Sequence, residues 1–149
     1  QVRFSARPAS VAKLLEDDLP KLNGRQAFID DVGLLVDMFS CLFDLPHVGL
    51  RMAVLREAMC PKFHVDRVPC RLLCTYVGEG TLWHPFEQVD YLGNAAVRPK
   101  AGTTHWQLGA NEAALLKGEA WEGNEDRGLV HCSPPASNNA PRLVLTLDF

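Results

Sequence analysis

Residues 142–149 read Arg-Leu-Val-Leu-Thr-Leu-Asp-Phe (RLVLTLDF). In an extended chain, residues two apart point to the same face. Leu143, Leu145, Leu147 and Phe149 therefore make one wholly apolar face, and Arg142, Val144, Thr146 and Asp148 make the other. The apolar face is expected to pack against a helical layer, which turns Arg142 toward the interior of a barrel. A buried guanidinium without an anionic partner is costly. The candidates are a bound dicarboxylate, whose oxygens match the guanidinium fork, and a carboxylate of the chain itself, Asp148 or Glu79.

The helical layer is predicted upstream. Ser10 is placed to cap a short helix, VAKLLEDDL, which Pro20 ends. A second helix is predicted from about Arg25 to Phe43. Its apolar residues Phe28, Ile29, Val32, Leu35, Val36, Phe39, Leu42 and Phe43 recur at steps of three and four, with Asp30, Asp31 and Asp37 off the stripe. Such an amphipathic helix packs on something flat and apolar, such as one face of a sheet, and Leu45-Pro46 closes it.

From Gly49 the texture changes. LRMAVLREAM (50–59) fits a strand or a short helix. FHVD (63–66), RLLCTYV (71–77), the turn GEGT (78–81), AALLKGEAW (113–121) and GLVHC (128–132) follow, separated by Gly, Pro and Asn. Short strands with such turns suggest a β-barrel or a two-sheet jelly roll. The polar stretch from about 84 to 110 reads as one long loop, the expected source of substrate specificity. The expectation is an α+β, mainly β chain in a single domain, 1–149. Residues 1–48 form a helical N-terminal support packed on one sheet of a β core, 49–149.

A chain of 149 residues is one domain's worth, and 47% apolar with 22% charged residues is ordinary for a soluble protein. A net charge of −3 gives no general nucleic-acid footprint, so no nucleic-acid partner is expected. Asp30, Asp31, Asp37 and Asp44 interrupt the most hydrophobic stretch, leaving no membrane-spanning run. The opening QVRFSARPAS has neither the apolar core of a signal peptide nor an initiating Met. A cytoplasmic chain, trimmed or processed at its start, is expected. Cys41, Cys60, Cys70, Cys74 and Cys132 are odd in number and contain no CxxC, so reduced, mostly buried thiols are expected.

Chemistry concentrates in an HxD…H pattern. On a strand, His64 and Asp66 project together, and His131 shares a face with Leu129. Two imidazoles and a carboxylate can hold one face of a non-haem Fe(II) ion and leave the other open. They also suit zinc, and Zn or Ni could substitute. The plain alternative is a hydrogen-bonded His64–Asp66 pair and a satisfied core His131. His47, His84 and His105 read as loop or surface histidines, and Cys132 is expected to point away from the site. Gly78-x-Gly80 is too short for a dinucleotide fingerprint.

The segments CPKFHVDRVPCRLLCTYVGEGTLW (60–83), LLKGEAW (115–121), GLVHCSPP (128–135) and RLVLTLDF resemble a bacterial family of domains of unknown function. The order HxD, Gly-turned strand pair, His, then Arg on the last strand resembles the Fe(II)/2-oxoglutarate-dependent oxygenases. Over about Ala58–Phe149 it implies their cupin-like double-stranded β-helix. The resemblance implies that His64, Asp66 and His131 ligate metal and that Arg142 holds the distal carboxylate of 2-oxoglutarate. A co-substrate contact would come from the strand carrying Arg71, Thr75 and Tyr76, with Tyr76 favoured. Arg71, Trp83, Trp106 and Trp121 would line the substrate mouth. The implied activity is oxidation of a small molecule or a protein side chain. The alternatives are a cupin-like metalloprotein without a keto acid and a non-enzymatic zinc-binding or metal-binding domain. Oligomeric state is left open.

Overall fold

The computed structural model describes residues 1–94 and 96–149. The chain runs β1 (Val2–Ala6), α1 (Pro8–Asp18), α2 (Arg25–Phe43), β2 (Val48–Leu55), β3 (Cys70–Val77), β4 (Leu82–His84), β5 (Val89–Tyr91), β6 (Val97–Pro99), β7 (Trp106–Gln107), β8 (Ala113–Lys117), β9 (Val130–Cys132) and β10 (Arg142–Asp148). A five-stranded antiparallel sheet has the order β1-β2-β10-β3-β8, a three-stranded one the order β7-β4-β9, and β5 and β6 form a separate hairpin. The molecule is a mainly β, α+β protein.

RLVLTLDF is the centre of the large sheet. β10 pairs with β2 on one side (Leu145↔Met52, Leu147↔Leu50) and with β3 on the other (Leu145↔Cys74, Leu147↔Leu72). These residues turn one way, onto Val11 and Leu15 of α1 and Ile29, Val32, Val36 and Phe39 of α2, and together they form the main core. Burying each leucine or phenylalanine stabilises the fold by about 1.5–3 kcal/mol, which holds the helices on that face. The opposite face of the sheet is left to line a cavity.

α2 has the expected bounds, begins after Gly24 in a left-handed conformation (φ 79°) and ends at Asp44, also left-handed (φ 51°). Leu42, expected on its buried stripe, is exposed, as are Leu34 and Met38. The cap of α1 differs from expectation: Pro8 opens the helix, and Ser10 lies inside the first turn with its hydroxyl donating to the Arg7 carbonyl. Proline suits that first position because the N–H it lacks has no intrahelical partner there.

Three further stretches differ from expectation or settle it. The N-terminal support contains a strand, β1, whose alternation in VRFSA covers only five residues and sits on the sheet edge. The stretch 50–59, open between helix and strand, supplies β2, because β1 and β10 both hydrogen-bond to it. The stretch 84–110 is not one loop. It holds a 3-10 turn (Phe86–Gln88), the β5–β6 hairpin and β7. Val89 joins Val65 and Val130 in a second buried cluster, and the Tyr91 hydroxyl donates to the Gly128 carbonyl at 2.8 Å. Strands of two or three residues are too short for a period of two to register in sequence. No helix among the described residues is long and apolar enough to cross a membrane.

Candidate metal centre

The site begins with a backbone pair. His64 lies outside the regular strands, but its N–H donates to the His131 carbonyl and the His131 N–H donates back, each at 3.0 Å. Residues that exchange both hydrogen bonds across an antiparallel pair project to the same side, and the two imidazole centroids lie 4.5 Å apart. Asp66, two residues on, joins them. Its backbone is anchored by the segment after β8: the Glu119 N–H donates to the Asp66 carbonyl and the Gly118 N–H to the Pro69 carbonyl, both at 2.9 Å. Gly118 is required there, since a Cβ would overlap the Val68 carbonyl oxygen.

Ring orientation is set in the same way for both histidines. His64 Nδ1 lies 2.9 Å from the Lys62 carbonyl and His131 Nδ1 lies 3.0 Å from the Leu129 carbonyl, in each case two residues upstream. A carbonyl has no proton to give, so both Nδ1 atoms carry the hydrogen and both Nε2 lone pairs are free. This is the arrangement that orients metal-binding histidines. Burial pulls the His131 pKa below its ordinary 6.5, outweighing the Leu129 carbonyl and Asp66, which act the other way. The ring is therefore neutral near pH 7 and able to ligate.

One donor atom from each of His64, Asp66 and His131 falls within 4.8 Å of the other two. Two donors each about 2.1 Å from an ion sit at most about 4.2 Å apart. The 3.6 Å between His131 Nε2 and Asp66 Oδ2 already meets that limit. The donor chemistry fits a single divalent ion, the Asp66–His131 spacing already suits one, and among the described residues these three groups form a cluster able to hold it.

Arg71 holds the carboxylate in place. Its Nη1 contacts both Asp66 oxygens at 2.9 and 3.0 Å, and its Nη2 reaches Asp148 at 3.0 Å. Arg71, expected at the substrate mouth, does line the cavity. Its guanidinium, however, is committed to two carboxylates, so it is a holder of Asp66 first. Each carboxylate oxygen keeps a second lone pair for an ion.

Arg142 points inward as the alternation requires and is 2% exposed. It pairs with neither Asp148 nor the Glu79 carboxylate. Its Nε donates to the Glu79 backbone carbonyl at 2.6 Å, and Nη2 donates to the Thr75 and Thr81 hydroxyls at 3.3 and 3.4 Å. Burial lowers its pKa from the ordinary value, but arginine remains charged. Arg142 is thus a buried cation with only neutral acceptors.

A cavity of about 360 Å³ brings His64, His131, Arg71 and Arg142 together with the inner face of β2 and β10. Several other expected site residues lie elsewhere. Tyr76 faces the helices: its ring packs on Phe28 and its hydroxyl donates to Asp31 at 2.6 Å. Thr75, its neighbour, takes the inward position by alternation. Trp83 faces His131 in register and lines a smaller void beside it. Trp106 packs against Trp83 but is 59% exposed, and Trp121 packs on Phe43 and Lys117; neither lines the cavity. Cys132, expected to turn away, does line it. His84, expected at the surface, is buried against Phe63. The cysteines are all free, three buried and two (Cys41 and Cys60) exposed.

Sequence reading missed Arg3, Arg51 and Thr81 as cavity residues. Alternation in VRFSA and LRMAVL carried the signal for both arginines, because Phe4, Leu50 and Met52 face the core.

Fold and site together define a helix-backed β protein with a candidate mononuclear metal centre. The chain belongs to the family described as protein of unknown function (DUF1826), whose family model matches residues 2–148. No curated protein matches the sequence. Among solved structures the chain is similar to Fe(II)-HppE with the alternative substrate (S)-1-HPP, at 13% identity and TM-score 0.37, over 69% of this chain and 42% of that one. It is similar to hydroxypropylphosphonic acid epoxidase from S. wedmorenis, at 13% identity and TM-score 0.38, over 71% and 45%. It is also similar to a cupin protein from Bacteroides fragilis, at 14% identity and TM-score 0.34, over 68% and 62%. The chain spans about two-fifths to three-fifths of these proteins.

Proposed function

We propose that this protein is a non-haem Fe(II) oxygenase with a cupin-like, double-stranded β-helix core. Its site oxidises a small molecule or side chain, with 2-oxoglutarate as co-substrate. The observation that carries the reading is the convergence of His64, Asp66 and His131, with both Nε2 lone pairs free, beside a cavity lined by His64, His131 and the buried cation Arg142. His64, Asp66 and His131 hold the ion on one face, which leaves positions toward the cavity. When bound, Fe(II) and 2-oxoglutarate supply a two-electron oxidation by O₂, with the keto acid decarboxylated to succinate. Arg142, Thr75 and Thr81 present a guanidinium and two hydroxyls to a carboxylate, and Arg71 keeps the Asp66 carboxylate oriented.

A second reading, a metalloprotein of the same fold that uses no keto acid, is favoured by one observation. Arg142 already donates to Glu79, Thr75 and Thr81, so its burial does not by itself demand a ligand. Protein loaded anaerobically with Fe(II) separates the two. The first reading expects saturable 2-oxoglutarate binding and succinate on admission of air. Metal binding without any 2-oxoglutarate affinity rejects it in favour of the second.

A further inference from the structure

The inner face of the large sheet carries more positive charge than the triad explains. Arg3 on β1 and Arg51 on β2 are direct cross-strand partners, and Arg51 is in turn opposite Thr146 on β10. All three line the cavity that holds His64, His131 and Arg142. Like charges directly opposite one another on a sheet are destabilising. Among the described residues no carboxylate comes within 4.0 Å of Arg3, Arg51 or Arg142. Asp66 and Asp148 are both taken by Arg71. Glu57 shares an adjoining groove with Arg51 without pairing with it, and Arg51 Nε is buried with no hydrogen-bond partner. This excess sits in a chain whose net charge is −3. The cavity lining carries Arg3, Arg51, Arg71 and Arg142 against one carboxylate, Asp148, which Arg71 pairs, and a cleft in which one sign of charge predominates concentrates ligands of the opposite sign.

We propose that Arg3 and Arg51 form an anion-binding subsite and that the substrate is a small organic anion. It would place a phosphate or carboxylate head on this pair and its body toward the triad. Guanidinium forks recognise both heads bidentately. That the anion is the substrate of this centre rests on the triad being a metal site; its capture by the arginines does not.

Phenyl phosphate, benzoate and uncharged benzamide share a body and differ in head, so titration calorimetry with the three tests the subsite. One or both anions should bind wild-type protein, with affinity falling as salt rises, and benzamide should not; the better anion identifies the head. Arg51→Gln and the double variant Arg3→Gln/Arg51→Gln should weaken that binding at least tenfold. Both positions are at least partly solvent-exposed, and circular dichroism reports whether the variants fold. The titrations are run on chelator-treated protein, so anion capture is read without a metal ion, and a failed metal centre and a failed anion subsite give different results. The subsite is overturned if neither anion binds better than benzamide, or if the folded double variant binds within threefold of wild type.

Discussion

Arg71 is the side chain on which the geometry of the triad turns, because it alone spans Asp66 and Asp148. Replacing it by methionine frees the Asp66 carboxylate to rotate. Loss of such a supporting contact lowers metal affinity by about 10–100-fold, measurable by competition with a chromophoric chelator. Lysine should rescue little, since one ammonium cannot span two carboxylates as a fork does. His131 carries the pH dependence. Its folded pKa lies below 6.5 through burial, so on acidification the unfolded chain takes up its proton first. Its contribution to stability is complete above about pH 6.5 and is lost as pH falls from there through the lowered folded value. Urea midpoints of the metal-free protein should therefore decline below pH 6.5, and His131→Asn should flatten that decline. Metal affinity should fall over the same range, since a protonated imidazole cannot ligate.

Among the elements, the turn after β8 bears on the site although it supplies no ligand. Gly118 lets that turn lie against the Val68 carbonyl and hand Glu119 to the Asp66 backbone. Gly118→Ala should destabilise the fold by about 1–3 kcal/mol, as overpacking does, and should weaken metal binding as well. Gly33→Ala is the control. It sits in α2, where a Cβ meets only Val11 at 3.8 Å, so alanine should be neutral or stabilise by up to about 1 kcal/mol. Chemical denaturation of the two variants checks both signs. At this scale much was legible before the structure. The three- and four-residue steps of α2 and the strict alternation of β10 each span enough residues to define a face. β4 to β7 were not legible, because two or three residues carry too little pattern, and β1, which does alternate, was passed over at only five residues. β5 to β7 are ordered by contacts such as Tyr91 to Gly128, which are distant in sequence.

For the whole molecule, the large sheet separates two kinds of work. One face is covered by α1 and α2 and supplies the core, and the other supplies the cavity. An ion that binds only the folded triad should stabilise the entire chain, by about 2.7 kcal/mol at a hundredfold excess over its dissociation constant. For a chain of this size each kcal/mol raises the melting temperature by about 2–4 °C. Thermal scans with Zn(II) or anaerobic Fe(II) should show that rise, chelator should reverse it, and Asp66→Asn/His131→Ala should abolish it. Sequence alone brought His64, Asp66, His131 and Arg142 forward as candidates, and it turned Arg142 inward because the period of a strand is local geometry. It could not tell which face of β3 meets the helices: alternation groups Tyr76 with Leu72 and Cys74, and the packing of that face on α2, with Tyr76 against Phe28, turns it away from the site. Nor could it show that His131 is bridged to His64, that Arg71 grips Asp66, or that Arg3 opposes Arg51. His64 and His131 stand 67 positions apart and Arg3 and Arg51 stand 48 apart, and only the closing of the sheets brings them within reach.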